Sequence, residues 1–159
     1  MTQYDLLPED TRVWIYQANR PLGDAEVNEL RPALEQFADQ WVSHNQQLRA
    51  FGGVFHKQFI VLMVDESQAG ASGCSIDKSV YFIKQIENAF QINLFDRMTF
   101  TYKDGDLIKS AHRDDFASLY NSGKINDDTL VFDNLVKTKK DFDQVWLKPL
   151  GQSWHKRMV

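Results

Sequence analysis

Residues 59–64 read F-I-V-L-M-V, and residues 65–79 read D-E-S-Q-A-G-A-S-G-C-S-I-D-K-S. The first run is apolar at every position. A strand with one wet face would alternate, so this run predicts a central strand covered on both sides. The second stretch leads into Ile76, Val80, Ile83, Ile86 and Phe90, whose spacing predicts an amphipathic helix over 76–90 with Ser75 as N-cap. A buried strand, a Gly/Ser connection and an amphipathic helix form the centre of the fold.

Working outward on the N-terminal side, Leu48 to Phe55 is a second strand candidate. His56, Lys57 and Gln58 separate it from Phe59 and predict a hairpin. Gly52 and Gly53 within it predict a bulge or a closely approached edge. Upstream, Val27, Leu30, Leu34, Phe37 and Trp41 trace a helical stripe from an Asp24 N-cap to about Ser43. Pro32 lies inside this pattern and predicts a kink. Val13 to Tyr16, β-branched and aromatic, predict the first strand.

On the C-terminal side, Met98, Phe100 and Tyr102 alternate with polar residues as in a half-buried strand. Asp104-Gly105 predicts a two-residue hairpin turn that pairs Lys103 with Asp106 and Tyr102 with Leu107. His112 to Gly123 predicts a short helix ended by Gly123 at C′. Thr129 to Phe132 predicts a short strand, and Thr138 to Trp146 a last helix.

The order strand, helix, strand, strand, helix, strand over residues 12 to 103 is the split β-α-β pattern of ferredoxin-like folds. The expected architecture is α+β: a βαββαβ core with an added hairpin and C-terminal helices, and one layer of helices on a mostly antiparallel sheet. A chain of 159 residues with 43% hydrophobic content fits a single domain over 1–159.

Charge and cysteine content limit the function classes. A net charge of −4 and a pI near 5.5 argue against a nucleic-acid footprint, and Lys137, Lys139 and Lys140 are followed by Asp141 and Asp143. One cysteine forms no internal disulfide, and the N-terminal residues lack the pattern of a secretion signal, so a cytoplasmic location is expected. The six-residue run at 59–64 is far short of the roughly 20 residues that span a bilayer, so no membrane insertion is expected.

The 65–79 stretch also holds the candidate chemistry. Small residues opening a helix present free N–H groups, and Ser72, Gly73, Ser75 and Lys78 are candidate ligand-binding residues. Asp77 complements the same helix dipole and competes with an anion. Cys74 is a candidate nucleophile, with His44 as base and Asp65 or Glu66 as orienting group, set against a cysteine that is buried or inert. Asp65 and Glu66 equally mark a strand leaving a core. His44, His56, His112 and His155 lack metal-ligand spacing, so no metal and no cofactor are expected. Trp146 to Trp154 is an alternative partner surface for a structural interaction protein.

The strings V-W-I-Y-Q-A-N-R (13–20), S-G-C-S-I-D-K-S-V (72–80), L-F-D-R-M (94–98) and V-F-D-N-L-V-K-T (131–138) together resemble a family of short, uncharacterised bacterial proteins often labelled ABC transporter ATPase. The resemblance runs over about residues 12 to 156, and its label implies nucleotide hydrolysis. No G-x-x-x-x-G-K-[ST] loop occurs in the chain, so no ATPase activity is expected from its residues. The leading expectation is a cytoplasmic binding or accessory domain with a small-ligand or partner site around Asp65 to Lys78. A thiol-dependent enzyme using Cys74 is the alternative.

Overall fold

The computed structural model describes residues 1–159 and gives an α+β protein whose sheets are antiparallel. The chain divides into two compact units, Met1–Phe95 with Lys137–Lys140, and Asp96–Val136 with Asp141–Val159. No helix is long and apolar enough to cross a membrane.

The first unit contains β1 (Arg12–Gln17), α1 (Asp24–Gln40), the short pair β2 (Val42–Ser43) and β3 (Gln46–Gln47), β4 (Arg49–Phe55), β5 (Phe59–Asp65) and α2 (Gly73–Phe90). Its main sheet has the order β1-β5-β4, and β5 runs against both neighbours. Strands β1 and β4 are therefore parallel, with β5 between them, which is a split β-α-β unit. Every residue of β5 is buried, so the uninterrupted apolar run does mark a central strand. Ile60, Leu62 and Val64 join Leu30 and Leu34 of α1 and Ile83 and Ile86 of α2 in one core. On the opposite face, Tyr4 packs against the rings of Phe51 and Phe55.

The strand expected to complete this sheet goes elsewhere. Residues 99–104 form β6, which pairs with β7 (Leu107–His112) and β8 (Leu130–Phe132) in a second sheet completed by β9 (Leu147–Pro149), in the order β7-β6-β8-β9. The free edge of β1 is taken instead by residues 137–139. The Val13 amide donates to Lys137 O at 3.0 Å, the Lys139 amide donates to Thr11 O at 2.8 Å, and Arg12 bridges Thr138.

Local boundaries differ from the sequence expectations for physical reasons. The α1 helix begins at Asp24 with Gly23 as N-cap, because Glu26 accepts the Gly23 amide at 2.9 Å while Asp24 pairs with Lys57. It is continuous through Pro32 and ends at Gln40, before His44 and Asn45 turn the β2–β3 hairpin with φ of 51° and 63°. Pairing between β4 and β5 is continuous, without a bulge. A Cβ on Gly52 would lie 3.2 Å from the Leu34 carbonyl oxygen, so glycine there lets α1 approach the sheet.

In the second unit β6 and β7 pair Asp104 with Leu107 and Tyr102 with Lys109, which moves the turn one residue on, to Gly105-Asp106. A type I′ turn at Asp104-Gly105 needs positive φ at both residues, whereas here Gly105 alone takes it, at +61°. Then come α3 (Arg113–Asn121), ended by Gly123 at φ +78°, β8, the part of α4 (Lys139–Val145) from Asp141 on, and β9 (Leu147–Pro149). Phe100, Tyr102, Phe116, Val131 and Leu150 form this unit's core.

A candidate binding surface at the start of the second helix

The connection from β5 to α2 is held by its own polar groups. Asp65 ends β5 at 2% exposure, accepts the Ser67 amide at 3.0 Å and pairs with Arg49 at 3.5 Å, its register partner on β4. Glu66 accepts the Ala71 amide at 2.9 Å and lies 3.8 Å from Arg12, whose guanidinium covers the Trp14 ring at 4.7 Å. Both carboxylates therefore fasten the loop that follows them.

The helix starts earlier than its apolar spacing predicts. Ser72 is the N-cap, and Ser75 sits at the third helical position. The Ser75 amide donates to Ser72 Oγ at 3.2 Å and the Ser72 amide donates to Ser75 Oγ at 2.7 Å, a reciprocal capping box built from two serines. The buried stripe is Ser75, Ser79, Ile83 and Ile86. Ser79 Oγ donates to Ile76 O at 2.6 Å, which lets this polar residue lie on the buried face.

Gly73 and Cys74 occupy the first two helical positions and are exposed, as is Lys78 one turn on. Cys74 is thus not buried: the inward positions of this turn belong to Ser75 and Ser79. Tyr81 follows seven residues after Cys74, at 66% exposure. Cys74, Lys78 and Tyr81 form an outward stripe on successive turns. His44 lies exposed in the β2–β3 turn, and β2 packs against α2. Cys74 and His44 make no hydrogen bond with each other, and Asp65 is committed to Arg49 and Ser67. The proposed Cys74, His44 and Asp65 set is therefore not assembled as a hydrogen-bonded relay. No group of three or more His, Cys, Asp or Glu side chains is arranged to hold a metal ion.

Sequence reasoning missed a polar cluster in the second unit. Asp133, buried, takes Lys148 at 2.7 Å, Trp154 Nε1 at 2.8 Å and the Leu135 amide at 3.0 Å. Burial raises its carboxyl, but these donors outweigh it and hold the group below the usual carboxylate range. His155, 1% exposed, stacks on Trp154 at 3.8 Å and shares a 2.6 Å hydrogen bond between Nδ1 and Ser153 Oγ. Burial pushes its imidazole down to about 4, with Asp133 opposing and Lys148 reinforcing that shift.

Serine, histidine and aspartate meet here without forming a catalytic relay. Ser153 caps a 3-10 turn through the His155 amide, and Asp133 is engaged by Trp154 and Lys148. Trp146 is buried, donates to Asn134 at 2.9 Å and stacks on Phe142, so it serves this unit's interior. The aspartate at 133, just after a strand, was the one available signal, and nothing in the spacing tied it to Lys148 or Trp154.

Comparison of the chain with protein-family models, with curated proteins and with solved structures gives no match.

Proposed function

We propose that the chain is a binding or accessory domain of the cytoplasm whose contact surface is the exposed start of α2 and the loop that leads to it. One observation supports this reading: Asp65, Glu66, Ser72 and Ser75 direct their hydrogen bonds into the loop itself. A connection satisfied in this way is rigid and offers Gly73, Cys74, Lys78 and Tyr81 outward. The carboxylates and serines of this loop are engaged in these contacts, which leaves Cys74 as its exposed reactive group. A convex stripe of cysteine, lysine and tyrosine on one helix face suits a protein partner, for which tyrosine is a favoured anchor.

The test is a photocrosslinker attached to Cys74 of the full chain, irradiated in cell extract, with the captured protein then purified for direct titration. A partner whose binding is lost in Lys78→Glu and Tyr81→Ala supports the reading. Capture unaffected by both substitutions, or no saturable binding by the purified protein, contradicts it. The ATPase label suggested by the resemblance is tested separately by titration with Mg-ATP, for which no saturable binding is expected because no phosphate-binding loop is present.

A further inference from the structure

The second unit carries a cavity of about 350 Å³ lined by Tyr102, Lys109, Leu119, Lys124, Ile125 and Thr129, together with the end of β6 and the start of the turn, Lys103 to Gly105. Three features of it point to a ligand. Tyr102 is 93% buried by virtue of its 7% exposure, and its ring edge meets Phe116 at 6.0 Å. Its phenolic hydroxyl nevertheless makes no hydrogen bond within the protein, although Tyr102 lines the cavity. The hydroxyl itself is open to solvent, so its O–H is available to a ligand where Tyr102 lines the cavity.

The lining is also cationic. It holds three lysines and one carboxylate, Asp104, which is taken by Lys109 at 2.6 Å. Lys103 and Lys124 have no acidic partner. Lys109 stands directly opposite Tyr102 in the β6–β7 register, so ammonium and phenol lie on one face of the hairpin. The Asp104 contact holds the Lys109 ammonium above its usual range, and Lys109 is therefore charged at neutral pH. The third feature is an apolar wall, Leu119 and Ile125, from the end of α3 and the residues that follow it.

We propose that this cavity binds a small organic anion with an apolar body. The body lies against Leu119, Ile125 and the Tyr102 ring. The anionic head sits between Lys109 and Lys124 and accepts the Tyr102 O–H. The volume is at the small end of the roughly 300–1,000 Å³ of ordinary ligand sites, which limits the body to about one ring. This site lies in the second unit and does not rest on the reading of α2.

The test is amide NMR titration of the 15N-labelled full chain with phenyl phosphate and benzoate as two head groups, benzyl alcohol as the neutral analogue, and inorganic phosphate as the head alone. At least one organic anion is expected to shift residues 102–109 and 119–129 saturably, about tenfold more tightly than benzyl alcohol or inorganic phosphate. Lys124→Gln, exposed and outside the core, is expected to weaken that binding about tenfold with the rest of the spectrum unchanged. Tyr102→Phe keeps the ring against Phe116 and is expected to weaken it severalfold. The proposal is overturned if neither organic anion gives saturable shifts there. Equal binding of benzyl alcohol or of inorganic phosphate overturns it as well, as does unchanged affinity in Lys124→Gln.

Discussion

Trp41 Nε1 donates to the carbonyl oxygen of Ser75 across 2.9 Å, joining the C-cap of α1 to the first turn of α2. Trp41 is 2% exposed and packs at a tilt against the rings of Phe37 and Trp14. The indole therefore fixes where the Gly73–Cys74 surface stands relative to the core of the first unit. Replacing Trp41 by Phe keeps much of the packing but removes the donor. A loss of about 1–3 kcal/mol in urea unfolding is expected, with increased amide exchange over residues 72–76.

Asp65→Ala tests whether the carboxylate is structural. It leaves the Ser67 amide without its acceptor and Arg49 without its pair. The expected cost is about 1–3 kcal/mol, and limited proteolysis should open the 66–71 loop. A variant as stable as the parent would mean that Asp65 is held in place for another purpose.

Gly52→Val tests the close approach of α1 to β4. A Cβ at position 52 already meets the Leu34 Cβ at 3.3 Å, so the two further methyl carbons force helix and strand apart. Overpacking of this kind costs about 1–3 kcal/mol. Thermal unfolding of the variant measures it directly.

Acid should weaken the protein through His155. Its folded-state value, about 4, lies below the ordinary 6.5, so the unfolded chain binds the proton more readily in that interval. Stability is then full above about pH 6.5 and falls as pH drops toward 4, by up to roughly 3 kcal/mol. His155→Phe should flatten urea-midpoint profiles between those values. The Asp133 carboxyl, held low, contributes a separate loss at more acidic pH.

Strong local patterns were legible in the sequence. The unbroken run 59–64 could only be a strand covered on both faces, and the stripe from Val27 to Trp41 survives Pro32 in a continuous helix. What the sequence hid was non-local. The hairpin that joins residues 99–104 to 107–112 was legible at Asp104-Gly105, with its turn placed one residue early, but nothing in residues 99–104 says that they also pair with 130–132, or that residues 137–139 close the edge of β1. The start of α2 was misplaced because serine at an inward position looks like a boundary, whereas Ser75 and Ser79 satisfy their hydroxyls on neighbouring carbonyls. Of the candidate site residues, Ser72, Gly73, Cys74, Ser75 and Lys78 do gather at one helix start. The roles of Asp65 and Glu66 depend on Arg49, Arg12 and two loop amides that no spacing rule exposes.

The central claim is that the β5–α2 connection presents Cys74 outward on a rigid base and does not assemble it with His44 as a reactive pair. The most direct measurement is the iodoacetamide alkylation rate of Cys74 in the folded chain, in folded His44→Ala and in the chain unfolded by urea. The predicted result is similar rates in all three. A folded rate far above the unfolded one that drops in His44→Ala, or a folded thiol that resists alkylation, would contradict the account.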